Sequence, residues 1–211
     1  MWAEENTRDA IFDALKRRET FATSGPRIAP RFFGGWHIPA DICSTPNLAK
    51  AGYQHGIPMG GVLASKNKPD ARPRFVVAAN ADPGTTGAPG HPLQRIQIIK
   101  GWVGSDGSFH QSVIDVAGNA DSGATVDPLS CNAEGEGFAS LCGVWEDAEF
   151  DPQRNAVCGA RVVENPSCRW STRMCLSLPE DQRPDGCDNP RIPKVIQERA
   201  WTAPIWFDSS R

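Results

Sequence analysis

The sequence is short of the groups from which most recognisable active sites are built. It holds four histidines, one tyrosine and three methionines in 211 residues. His37, His55, His91 and His110 stand apart, with no His-x-His or Asp-x-His pair among them. They read as structural or surface residues, since hydrolytic metal sites need clustered His, Asp and Glu ligands to activate a water. No Cys-x-x-Cys pair occurs, which argues against structural zinc. Ser24 lies in no Gly-x-Ser-x-Gly elbow, so it does not read as a hydrolase nucleophile. Asp82-Pro83-Gly84 lacks the alternating acidic ligands of an EF-hand calcium loop. With 22 basic and 25 acidic residues there is no charge excess to favour nucleic acid or form a solvating acidic arm. No apolar run is long enough to span a bilayer. Met1 leads into Trp-Ala-Glu-Glu rather than a basic and then apolar stretch, so the chain carries no recognisable signal peptide.

What is abundant is glycine and proline, 20 and 18 residues respectively, the composition of a loop-rich β protein. Seven cysteines are also present, and five of them fall between Cys131 and Cys175 without a histidine nearby. Disulfides are the natural reading, and they place the chain in an oxidising compartment, the periplasm or the exterior. Cys131 and Cys142 flank a glycine-rich loop and form the preferred pair, with Cys168 joined to Cys175 or Cys187 second. Cys158, in an apolar strand, is the expected free thiol; connectivity itself cannot be deduced from sequence.

Along the chain, Asn6 or Thr7 can cap a helix that runs to Arg18. Asp9 suits its positive end and Lys16, Arg17 and Arg18 its negative end. Ala10, Ile11, Ala14 and Leu15 recur at helical spacing. Such a stripe must be buried, and a strand–loop–helix unit normally buries it inside an α/β layer. Left uncovered, it predicts dimerisation through Ile11 and Leu15 or a mobile N-terminus. Thr20 to Thr23 and Arg27 to Trp36 read as strands, and residues 39–72 as a long connection with a short strand near Met59 to Leu63. Arg74 to Asn80 is a strand. Leu93 to Val103 alternates, with Ile96, Ile98 and Trp102 on one face and Gln97, Ile99 and Val103 on the other. Ser105-Asp106-Gly107-Ser108 turns it into Phe109 to Val116. Further strands are expected at Leu141 to Trp145, Val157 to Glu164, Arg169 to Met174 and Ala200 to Phe207. The fold class is therefore mainly β, an antiparallel sandwich-like module preceded by one strand–helix unit.

The runs WAEENTRDAIFDALKRRETFATSGPRI and RFFGGW, with PLQRIQIIKGWV, ARVVENPSCRWST and IQERAWTAPIW further on, carry a resemblance across nearly the whole chain. It resembles the C-terminal portion of an uncharacterised family of exported bacterial proteins, a domain of unknown function. Members of that family resemble the PHP (polymerase and histidinol phosphatase) metal-dependent phosphoesterases. The resemblance implies that residues 1–30 end a PHP-like α/β barrel and that 31–211 form a β-rich domain with disulfides. It implies that the His and Asp ligands for zinc, manganese or iron lie upstream, together with the export signal. On this reading the present chain holds no cofactor of its own and is inactive alone. Its partners would be the upstream barrel and a small-molecule ester.

Two clusters are the substrate-facing candidates. Glu4, Glu5 and Asn6 occupy a loop after a strand, the position that forms the catalytic face of (β/α) barrels; their bland role is capping and balancing the helix. Ser24 and Arg27 flank a Ser/Gly turn whose backbone N–H groups, with the guanidinium, could hold a phosphate or carboxylate; their bland role is a turn with a structural ion pair. A different class of function, a non-catalytic extracellular module that binds carbohydrate, would need exposed tryptophans among Trp36, Trp102, Trp145, Trp170, Trp201 and Trp206, with Trp102, Trp145 and Trp170 the discriminating positions; the bland role of aromatics on strands is core.

Overall fold

The computed structural model describes residues 1–65 and 71–210. Strand outweighs helix, 39% to 17%, so the chain is mainly β as its composition and alternation imply. Helix α1 spans Arg8–Lys16, and Thr7 is its cap, accepting from the Ala10 N–H at 3.3 Å. Residues 1–7 run as bends outside any sheet; the strand that accompanies the helix is β1, Phe21–Thr23, which follows it.

Two sheets pack face to face. The larger contains β1, β4 (Val62–Ala64), β6 (Leu93–Val103), β7 (Phe109–Gly118), β9 (Ala156–Glu164), β10 (Arg199–Thr202) and β11 (Ile205–Asp208). The smaller is built from β2 (Ala29–Gly35), β3 (Ile57–Pro58), β5 (Arg74–Asn80) and β8 (Ser140–Glu146). Strand β9 is the spine of the larger sheet. It pairs with β6 along one edge, and with β10 and β11 in succession along the other. All of these pairings are antiparallel; β11 with β4 is a parallel pair. Between the sheets, Phe32, Phe75 and Val77 meet Ile96, Ile98, Ala160, Val162 and Ile205 in one buried core. That arrangement follows from the period-two alternation of the strands, which sends every second side chain inward.

The back of the smaller sheet is covered by the segment expected to be mere connection. Helix α2, Leu48–His55, lies there with a short 3₁₀ turn at Ile42–Ser44. Phe33, Ile38, Ile42 and Val76 form a second buried cluster under it. Gly52 is what permits the contact, because a Cβ there would stand 2.5 Å from the Phe33 ring. Residues 66–70 of the 39–72 connection lie outside the described residues.

Two local expectations are corrected. Arg169 to Met174 is not a strand; Trp170–Ser177 forms helix α3. The disulfides are Cys43–Cys142, Cys131–Cys168 and Cys175–Cys187, so Cys131 does not pair with Cys142, and Cys168 pairs with neither Cys175 nor Cys187. Cys142 sits on β8 beside the 3₁₀ turn that holds Cys43, a neighbourhood made by folding rather than by sequence proximity. Cys158 is the free, buried thiol, as its apolar strand implies; burial first, then nearby Asp147, pushes it up to about 12. Three disulfides indicate an oxidising, extracellular type of environment. Among the described residues no helix is long and apolar enough to cross a membrane.

Candidate functional site

The end of α1 builds the site. Arg18 takes a left-handed conformation, φ 59°, the turn by which many helices stop. Its Nε donates to the Gly60 carbonyl at 2.9 Å. Glycine is required at that point, for a Cβ on Gly60 would lie 2.2 Å from the Arg18 carbonyl oxygen. The turn swings Glu19 inward, where it is 2% exposed. Trp2 then docks alongside. Its backbone N–H donates to the Glu19 carbonyl at 3.0 Å and its indole N–H to the Pro30 carbonyl at 2.8 Å.

Around Glu19 three further side chains converge, one from each of three elements. Arg17 from the end of α1 reaches its Oε2 at 3.6 Å, and Arg31 from β2 reaches Oε1 at 3.9 Å. Tyr53 from α2 donates its hydroxyl to Oε1, and its ring meets Phe33 edge-on at 5.0 Å. The Arg31 guanidinium lies 3.5 Å from the centre of the Trp2 ring, a cation–π contact that holds it in place. Burial first, and then the bond to Glu19, pushes the Tyr53 phenol up to about 12. The phenol therefore stays protonated, a hydrogen-bond donor.

These residues line a cleft of about 390 Å³ bounded by Trp2, Ala3, Glu4, Arg17, Glu19, Arg31 and Tyr53. Its chemistry is that of anion reception. Two guanidiniums share one buried carboxylate, so N–H donors remain for a ligand, and bidentate guanidinium contacts suit carboxylates and phosphates.

Glu4 lies on the rim of this cleft. Glu5 is exposed and accepts from the Thr7 hydroxyl at 3.1 Å, beside the helix cap; Asn6 is exposed as well. Ser24 and Arg27 are not brought to the cleft. Ser24 donates to Glu198 and accepts from the Arg199 N–H at 2.8 Å. Arg27 binds Asp82 through its backbone N–H at 2.7 Å and its guanidinium at 3.3 Å, and those bonds hold the Asp82 carboxyl below the usual carboxylate range. Sequence reasoning missed Arg17, Glu19, Arg31 and Tyr53. The signal available was the single tyrosine of the chain, Tyr53, placed in a segment read as featureless.

Among the described residues no three His, Cys, Asp or Glu side chains form a group that could hold a metal ion. The divalent metal implied by the resemblance does not fit this donor set, and no step through one is assigned to these residues. Of the tryptophans that would discriminate a binding module, Trp170 is 73% exposed while Trp102 and Trp145 are half-buried.

A family model described as "Protein of unknown function (DUF3604)" matches residues 1–209. The chain belongs to this family. The match takes in the cleft, both sheets and all the disulfide cysteines. No curated protein and no solved structure matches the chain.

Proposed function

We propose that this member of DUF3604 is the C-terminal part of an exported, metal-dependent phosphoester hydrolase of the PHP type, and that its Trp2–Tyr53 cleft receives the substrate's anionic group. The observation that carries the reading is Arg31, fixed on Trp2 and shared with Arg17 over one carboxylate beside Glu4. The three disulfides agree with export. In this reading Arg31 and Arg17 bind and orient a phosphoryl or carboxylate oxygen, and Tyr53 keeps its proton as a donor. Glu4 accepts a hydrogen bond from water or a substrate hydroxyl at the rim. On this reading the metal ligands would come from an upstream barrel, and a metal held there would supply an activated water.

The test is calorimetric titration of the chain with inorganic phosphate and with p-nitrophenyl phosphate, each in the presence and absence of manganese. Binding that weakens about tenfold in Arg31→Met, with the melting temperature kept, is the expected result. The expected turnover is none. Absence of phosphate binding would remove the anion-receiving role, and hydrolysis by the chain plus manganese would overturn its reading as the part without metal ligands.

A further inference from the structure

The outer face of the larger sheet is unusual for a surface. Because directly opposed residues of antiparallel strands share a face, the register sorts it into rows. Trp206, Val157, Gly101 and Gln111 stand in one row; Ile99, Gly159 and Val113 form the next. Trp201, Arg161, Gln97 and Asp115 make the third, and Arg199 and Arg95 flank Val163 in the last. The rows therefore pass from apolar to basic along β9.

Both tryptophans are open to solvent, Trp201 at 39% and Trp206 at 49%. They stand beside β9 four residues apart, about 13 Å at the rise of a strand. Between them the floor is Gly159, where an added Cβ would meet nothing within 4 Å. The Trp206 end opens into a groove of about 540 Å³, continued by Gly101, Val103 and Phe109. At the other end the positive charge is poorly compensated. Arg95 has Asp115 at 3.9 Å, and Arg161 donates to the neutral Gln97 at 2.8 Å. Arg161 and Arg199 make no ion pair among the described residues. Arg161 feels both neighbours: after burial, Arg199 and then Arg95 lower its value, with Asp115 opposing them.

We infer that this face binds an acidic carbohydrate chain, its sugar rings lying on Trp201 and Trp206 across the Gly159 floor and its carboxylate or sulfate groups meeting Arg161, Arg199 and Arg95. An open, flat floor between two aromatic platforms suits the apolar faces of pyranose rings. Arg161 and Arg199, which have no carboxylate partner among the described residues, suit the anion, with Arg95 beside them already paired to Asp115. The charge selects the class, since a neutral polysaccharide would leave these two guanidiniums without an anionic partner. The disulfides favour a saccharide over nucleic acid, because they place the chain where polysaccharides are met. Trp201 and Trp206 are two of the six tryptophans that the sequence offers for such a face, though not of the discriminating set Trp102, Trp145 and Trp170. The inference is independent of the cleft at Trp2, which lies elsewhere on the molecule.

The experiment is calorimetric titration of the chain with four probes: an oligogalacturonate, a chondroitin sulfate oligosaccharide, cellohexaose and a single-stranded DNA oligonucleotide. Binding of either acidic sugar, with cellohexaose at least tenfold weaker, is the expected result; the tighter of the two tells carboxylate from sulfate. Trp206→Ala and Arg161→Gln should each weaken it about tenfold. Gly159→Leu, whose Cβ would meet nothing within 4 Å, should block the floor while the melting temperature stays. Phosphate binding at the Arg31 cleft should be unchanged in all three variants. Failure of both acidic sugars to bind, equal binding of cellohexaose, preference for DNA, or variants that bind as the parent would each overturn the inference.

Discussion

The sandwich and the segment that hangs from it are held together by different means. In the sandwich, sixteen buried residues form one cluster between the sheets, and long ladders such as β6 with β9 satisfy the backbone. From Asn119 to Gly137 and from Asn165 to Ile196 the picture changes. The elements there are two-residue strand pairs, Thr125–Val126 with Ala133–Glu134 and Ser167–Cys168 with Val195–Ile196, besides α3 and two 3₁₀ turns. Few apolar residues in these segments are buried, Ala124 and Val126 among them, while Leu129, Trp170, Met174 and Ile192 are exposed. Two of the three disulfides, Cys131–Cys168 and Cys175–Cys187, sit in this lobe. Where the chain can bury a core it uses hydrophobic burial; where it cannot, covalent links restrict the unfolded chain instead. The third, Cys43–Cys142, fastens the 3₁₀ turn to β8 on the back of the smaller sheet.

The sharpest way to break the comparison is to attack the core. Phe32 is fully buried and its ring stacks with Phe75 at 5.9 Å. Phe32→Ala should cost about 3–5 kcal/mol and lower the denaturant midpoint of the whole molecule, lobe included. Urea unfolding followed by fluorescence and circular dichroism measures it; a loss below about 1 kcal/mol would deny the core its role.

Removing a lobe disulfide should act locally. The Cys131–Cys168 link closes a loop of sequence separation 37, for which chain entropy gives roughly 4 kcal/mol. Cys131→Ser with Cys168→Ser should therefore raise hydrogen exchange across residues 119–137 and 165–196 and leave β5, β6 and β9 protected. Uniform loss of protection would show that lobe and sandwich unfold as one unit.

The smallest effect lies where the two regions join. Glu164 ends β9, is 1% exposed, and has an Oε1 without a hydrogen-bond partner among the described residues. Burial first, then Glu198 and Asp82, pushes its carboxyl up to about 7. The folded value exceeds the unfolded one, so the native state binds the proton more tightly. The stability this contributes is complete below the unfolded value, near 4.5, and is lost as pH rises through about 7. Its slope is at most about 1.4 kcal/mol per pH unit. Melting temperature measured from pH 4.5 to 8 should fall less in Glu164→Gln than in the parent, and identical profiles would remove Glu164 as the cause.

Much of this was legible beforehand, though unevenly. The alternation in Leu93 to Val103 put Ile96 and Ile98 on one face and Gln97 and Ile99 on the other, and the structure turns the Ile96 and Ile98 face into the core. Helix α1 and its Thr7 cap were written in local spacing and in the residue types at its end. Cys158 was recognisable as the free thiol because it sits in an apolar strand. In contrast, α2 was hidden in glycine- and proline-rich surroundings, where propensity is weak and packing on Phe33 decides. Helix α3 read as a strand because Trp170, Thr172 and Met174 alternate with Arg169, Ser171 and Arg173, a run too short for its period to separate strand from helix.

The sequence by itself determined that this is a mainly β, disulfide-bearing chain with an amphipathic helix near its start, because those properties reside in local periodicity, turn residues and cysteine context. The tertiary structure alone decided which cysteines meet, why Arg17, Arg31 and Tyr53 gather on Glu19, and that three arginines share one face with Trp201 and Trp206. Each of these depends on strand register and on elements distant in sequence being brought together, and one residue's slip in register would send every such side chain to the opposite face.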